Sequence, residues 1–114
     1  MLKGLSFIIR HVDDVAATRD FYVQKLGLTV EEEAPGFVQF AGAGGATFAL
    51  GEAGAGDPLE LWWFVDDADA THRELQSRGV EILAPPSEMP FGRTLAIRDC
   101  DGNPLHLLQP RARA

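Results

Sequence analysis

Apolar and polar residues alternate along the chain in two kinds of pattern. Short apolar runs at 7–9 and 61–65, rich in β-branched and aromatic residues, predict strands. Each run is followed by apolar positions three and four residues apart, which predict helices over about 15–26 and 68–78. The face of the first helix would carry Val15, Thr18, Tyr22 and Leu26, and that of the second would carry Ala68, Thr71 and Leu75.

Both predicted helices have matching end signals. Asp13-Asp14 and Asp66-Asp67 precede them, and a carboxylate at this place accepts hydrogen bonds from the first free backbone N–H groups. Gly27 and Gly79 follow them, where a left-handed residue closes the last turn.

The chain contains an internal repeat. Residues 12–18 and 65–71 agree at five of seven positions, 53 residues apart, and 26–30 parallels 78–82 at nearly the same offset. Further strands are predicted in each copy, over 28–30, 36–40 and 47–50 in the first, and over 80–82, 94–98 and 104–108 in the second. The sequence therefore predicts an α+β fold of two tandem βαβββ modules within a single domain, 1–114.

The predicted modules span about 5–50 and 59–109, with a linker over 51–58. A long exposed loop is expected at 84–92, because Pro85, Pro86 and Pro90 interrupt the strand pattern there.

One helix covers one face of each small sheet, so the other face needs a second partner. Alternation along 60–65 places Leu61, Trp63 and Val65 towards the helix, which makes Trp63 a core residue, and Glu60, Trp62 and Phe64 on the opposite face. Two modules, or two copies of the chain, can curve such faces round one cleft.

Charge and composition narrow the choice of partners. The net charge of -7 and a pI near 4.8 disfavour nucleic acid and suit neutral or cationic small molecules. No apolar run approaches the roughly 18 residues of a membrane helix. A single cysteine, Cys100, excludes an internal disulfide and a cysteine-based zinc site, and indicates a reducing cytoplasm.

Three motifs carry a family resemblance: Phe21-Tyr22, Leu26-Gly27-Leu28 and the segment Asp-Cys-Asp-Gly-Asn-Pro at 99–104. With the repeated βαβββ unit, they resemble the vicinal oxygen chelate superfamily, whose Asp-Pro-Asp-Gly-Asn turn has proline where this chain has Cys100. That superfamily includes glyoxalase I, extradiol dioxygenases, fosfomycin-resistance enzymes and bleomycin-resistance proteins. The resemblance extends over about 5–109 and implies the fold more strongly than any one reaction.

The resemblance also implies where a metal would bind. Metal-using members place His, Gln or Glu at four cleft-facing positions, which correspond here to Phe7, Ala49, Glu60 and His106. Only Glu60 and His106 can bind a metal, and two ligands are too few for a secure divalent site, so we expect no cofactor, with a divalent metal as the lesser alternative. His11 lies about 13 Å along the strand from Phe7, too far to substitute, and is expected at the surface.

Two uses of the remaining side chains stay open. A Glu60–His106 pair could recognise a ligand or transfer a proton, or it could be a buried pair with only a structural role. The cleft would be lined by the rings of Phe7, Trp62 and Phe64, and Phe91 would cover its opening. Alternatively, these rings only pack one module against the other.

Two hypotheses about function follow. The first is a metal-free, homodimeric binding protein for a small aromatic or cationic molecule, similar to the bleomycin-resistance branch, with sequestration of an antibiotic or toxin as its role. The second is a lyase, isomerase or dioxygenase that uses Glu60 and His106 as metal ligands or acid–base groups.

Overall fold

The structure is a computed structural model that describes residues 1–42, 45–54 and 56–111. These residues form eight strands and two helices in the predicted order βαβββ-βαβββ. The elements are β1 (Gly4–Val12), α1 (Val15–Gln24), β2 (Val30–Ala34), β3 (Phe37–Phe40), β4 (Thr47–Glu52), β5 (Leu59–Phe64), α2 (Ala68–Ser77), β6 (Ile82–Met89), β7 (Gly92–Arg98) and β8 (Pro104–Pro110). The predicted α+β fold class is confirmed.

The chain divides into two compact units. The N-terminal unit is Phe7–Glu60, and the C-terminal unit is the chain from Leu61 onward together with Met1–Ser6. Most of the segment expected to be a linker, 51–58, lies between β4 and β5, although Gly51 and Glu52 still belong to β4; Ala55 lies outside the described residues.

In the N-terminal unit the strands follow the order β2-β3-β4-β1. β3 is antiparallel to both neighbours, whereas β1 is parallel to β4, with Ile9 opposite Ala49. The core is built on buried Val38, Phe40 and Leu50, against which Tyr22 of α1 packs. Leu26, predicted on the helix face, is 56% exposed because α1 ends at Gln24.

The C-terminal unit repeats this arrangement in the order β5-β8-β7-β6. β5 is parallel to β8, with Trp62 opposite His106, and β7 is antiparallel to β8 and β6. The predicted inner face of α2 is confirmed, since its three members are buried. The core comprises Val65, Ala68, Leu75, Leu95, Ile97 and Leu107.

The predicted Asp caps and left-handed glycines are confirmed, although α1 ends at Gln24, two residues before the predicted end. Asp14 Oδ1 accepts a hydrogen bond from Ala17 N at 2.9 Å, and Asp67 Oδ1 accepts one from Ala70 N at 3.0 Å. Gly27 and Gly79 have φ of 76° and 77°, the left-handed backbone that favours glycine.

The expectation of a loop at 84–92 was wrong, although most of this segment is exposed as expected. β6 runs through this segment to Met89, and a two-residue turn joins it to β7. β6 is the last strand of its sheet, and its register shifts between Ile82 and Ala84 and again between Ala84 and Ser87. Pro85 and Pro86 are accommodated because an irregular edge strand needs fewer backbone N–H donors than an inner strand.

Neither of the two helices in the described part of the chain has the length and apolar character that crossing a bilayer requires.

Candidate functional site

The sheet of the C-terminal unit has two different faces. The face towards α2 carries Leu95, Ile97 and Leu107, with Trp63 packed against them, so the prediction of a core position for Trp63 is confirmed. Strand alternation and the register place a second set of side chains on the opposite face. This set, called the open face, comprises Trp62, Phe64, Thr94, Ala96, His106 and Leu108.

Three residues predicted for the site come together at the open face. The rings of Trp62 and His106 stack with centroids 4.4 Å apart and an interplanar angle of 17°. Phe91, in the turn between β6 and β7, meets Trp62 edge-on at 6.1 Å and 76°. The stack follows from the parallel pairing of β5 with β8, which sets Trp62 directly opposite His106. We call Trp62, Phe91 and His106 the aromatic cluster.

The aromatic cluster and its neighbour Phe64 are partly accessible to solvent. Phe91 is 50% exposed, and Phe64, two residues beyond Trp62 on the same face, is 37% exposed. Large apolar side chains do not normally stay this accessible in a group, so their exposure marks the open face as a candidate binding surface.

In the N-terminal unit, the Glu60 carboxylate is held by His11, a residue expected at the surface from the sequence. His11 Nε2 makes a hydrogen bond with Glu60 Oε2, and His11 Nδ1 donates to the backbone carbonyl of Glu52 at 2.9 Å. The two side chains are only 23% and 25% exposed. The expected surface position of His11 was therefore wrong.

The backbone explains how His11 reaches Glu60. The N–H of His11 donates to the carbonyl of Pro58 at 2.8 Å, so the end of β1 lies beside the start of β5. Distance along β1 alone could not reveal this approach. Parity along the strand was the available signal, because His11 shares a face with Phe7.

The contacts of His11 set its protonation. The hydrogen bond with Glu60 is the main cause that raises the pKa of His11 above its usual 6.5, and the bond to the Glu52 carbonyl acts in the same direction, while partial burial opposes both. The imidazolium can satisfy both ring N–H groups at once, and the pair can hold one shared proton.

The remaining predicted positions offer no metal ligands. Phe7 is half-buried opposite Thr47, and Ala49 is fully buried opposite Ile9. Ile9 and Trp62 are 53 residues apart, as in the repeat, so their strand partners Ala49 and His106 are equivalent positions in the two modules.

Among residues 1–42, 45–54 and 56–111, no group of three or more His, Cys, Asp or Glu side chains is placed to hold a metal ion. The donors in the described chain do not fit the divalent metal that the family implies. A Glu60–His106 pair and a cleft shared by both modules stay predictions.

Comparison with known proteins gives a consistent result. The family model described as "Glyoxalase/Bleomycin resistance protein/Dioxygenase superfamily" matches residues 4–107. The crystal structure of methylmalonyl-CoA epimerase from Mycobacterium tuberculosis superposes with a TM-score of 0.78 at 21% identity, covering 97% of this chain and 90% of that one. A member of the matched superfamily from Vibrio splendidus 12B01 gives 0.76 at 17% identity, with coverage of 94% and 97%. The uncharacterized protein YetH of Bacillus subtilis (strain 168) is 22% identical over 114 residues, which is 90% of this chain and 95% of YetH.

Proposed function

The chain belongs to the Glyoxalase/Bleomycin resistance protein/Dioxygenase superfamily, and from that premise we propose that it binds a small planar organic molecule, neutral or cationic, at the aromatic cluster. The observation that carries this proposal is the contact of Trp62 with both His106 and Phe91 on the open face. The proposed role is binding without a metal, which fits sequestration of an antibiotic or toxin by a cytoplasmic homodimer.

Aromatic surface and charge support this choice of ligand. Offset and edge-on ring contacts contribute about 0.5–1.5 kcal/mol each beyond the burial of area, so a planar guest can gain from several rings at once. Indole rings also attract cations over their faces. The net charge of -7 raises the local concentration of cations over that of anions.

The test measures binding of two planar probes, quinoline and N-methylquinolinium, by calorimetry and saturation-transfer NMR in the presence of chelator. We expect Trp62→Ala to weaken binding by about tenfold, which corresponds to the loss of about one ring contact. Phe21→Ala is the matched control, because Phe21 is an exposed phenyl ring on α1 in the other unit. Equal affinities for the wild type and Trp62→Ala, or no binding by the wild type, would contradict the proposal.

A second candidate function is catalysis. The hydrogen bond that fixes Glu60 favours it, because an oriented carboxylate is suited to acid–base chemistry. In this alternative the chain is a lyase, isomerase or dioxygenase with Glu60 and His106 as metal ligands or as acid–base groups. Metal analysis of protein purified without chelator distinguishes a metalloenzyme from a metal-free acid–base enzyme. A stoichiometric metal that is lost in Glu60→Ala would favour the metalloenzyme.

A further inference from the structure

We propose that His11 and Glu60 form a proton-transfer dyad, in which Glu60 takes an acidified C–H proton from a small substrate and His11 positions the carboxylate. This inference rests on the second candidate function, catalysis at Glu60, and it adds a partner, His11, that the family positions do not include. The dyad lies within the N-terminal unit.

The imidazole of His11 is fixed from several sides. Its Nδ1–H donates to the carbonyl of Glu52 at 2.9 Å, which leaves Nε2 for Glu60. The ring also lies against the backbone of Gly51, since a Cβ added there would be 2.9 Å from His11 Nδ1 and 3.0 Å from Cε1. A base whose partner cannot rotate is held ready for proton transfer at no further entropic cost.

Exposure and charge fit the same role. Each side chain is about one quarter accessible, so both can be reached by a small molecule from solvent. Two carboxyl-bearing residues face the imidazole, Glu60 from β5 and Glu52 from β4. Glu52 binds it through its backbone carbonyl, while its carboxylate lies beside Gly36 in the turn between β2 and β3. Glu60 is thus the carboxylate bonded to His11.

The probe reaction is the ring opening of 5-nitrobenzisoxazole in chelator-treated protein. The Glu60 carboxylate takes the C3 proton, the C–H electron pair becomes the third bond of the nitrile, and the N–O bond breaks with its electrons on the phenolate oxygen. We expect the wild type to exceed an equimolar mixture of acetate and imidazole by about 10²-fold, the lower range for a positioned general base. The rate of Glu60→Gln should fall to the rate of the acetate–imidazole mixture. Glu33 is an exposed carboxylate on β2, so the rate of the control variant Glu33→Gln should stay at the wild-type value.

The role of His11 is tested through kcat and KM at a single pH. His11→Ala removes the partner that orients the Glu60 carboxylate, so kcat should fall while KM changes little. His11→Gln retains a donor to Glu60 and should recover part of kcat, whereas the matched His72→Gln should leave kcat at the wild-type value. Recovery in His11→Gln separates positioning of the carboxylate from a loss of the fold.

Three results would overturn the dyad: a wild-type rate equal to background, full activity in folded Glu60→Gln, or a kcat in folded His11→Ala equal to that of the wild type. Failure of the first proposed function gives a different result, namely no loss of quinoline binding in Trp62→Ala. The two proposals can therefore fail separately.

Discussion

The environment of His11 is specified by three strands, and each supplies a different contact. β1 carries the residue, β4 supplies the Glu52 carbonyl and the open space above Gly51, and β5 supplies the Glu60 carboxylate. With both ring nitrogens engaged, the protonated form fits better than the neutral form. The raised pKa of His11, caused mainly by Glu60, expresses this preference.

The pKa of His11 makes the folding stability depend on pH. Because the folded-state pKa of His11 lies above the unfolded value near 6.5, the contribution of the pair is complete below about pH 6.5, and it is lost as pH rises through the folded-state pKa. We expect His11→Gln to cost about 1 kcal/mol of unfolding free energy at pH 6 and less at pH 9, measured by urea denaturation. A cost that is the same at both values, after comparison with His72→Gln, would contradict this.

Gly51 is the residue that leaves room for the imidazole. In Gly51→Ala the new Cβ would come within 2.9 Å of His11 Nδ1, so the ring must move away from the Glu52 carbonyl and from Glu60. We expect the pKa of His11 to fall towards 6.5 in an NMR titration, with a loss of about 1–3 kcal/mol in stability. Gly42→Ala is the control, because nothing lies within 4 Å of a Cβ at that position. An unchanged His11 titration in Gly51→Ala would show that the close approach does not matter.

At the scale of elements, local chemistry was the most predictable part of the fold. The two Asp caps and the left-handed glycines follow from a few neighbouring residues, and each is confirmed. The proline-rich strand β6 was missed because proline disfavours inner strands, and a sequence does not state which strand will lie at an edge. The His11–Glu60 contact was missed because it joins residues on different strands.

The caps allow a direct test of element stability. Asp14→Ala removes the acceptor for Ala17 N and leaves that donor at the first turn of α1 without its side-chain partner. We expect a loss of about 1 kcal/mol in unfolding free energy by thermal or urea denaturation. The adjacent Asp13→Ala changes the charge equally and keeps the cap, so it should cost less. A larger loss in Asp13→Ala would assign the effect to charge.

At the scale of the whole molecule, duplication produced two similar scaffolds with different side chains at equivalent positions. The register that pairs Ile9 with Ala49 in one unit pairs Trp62 with His106 in the other. Repeat spacing and strand parity allowed prediction of the fold and of the shared side of Trp62 and Phe64 on β5. The stack of Trp62 on His106 was not predicted, because it depends on the register between β5 and β8, which are far apart in the sequence. Repeat spacing and strand parity do not identify the ligand, since the same scaffold carries different chemistries in different proteins.

Metal removal tests the scaffold as a whole. Of the four positions that the family resemblance assigns to metal ligands, Phe7 and Ala49 have no donor atoms, and the described chain has no alternative group of three ligands. We therefore expect chelator treatment to leave the unfolding temperature and the quinoline affinity unchanged, and added Zn²⁺, Ni²⁺ or Mn²⁺ to leave both unchanged as well. Stabilisation by one of these ions that disappears in Glu60→Ala would contradict the expectation.

Net charge should determine which planar ligands bind best. The charge of -7 favours N-methylquinolinium over neutral quinoline, and quinoline over the anion 2-naphthoate, although all three offer similar ring area. Because exposed charges are screened within about 10 Å at 0.1 M salt, the differences in affinity among the three ligands should become smaller as NaCl rises from about 20 to about 500 mM. The Trp62→Ala loss should remain at both salt concentrations, because ring contact does not depend on screening. An order that persists at high salt would indicate instead a specific anionic partner in contact with the ligand.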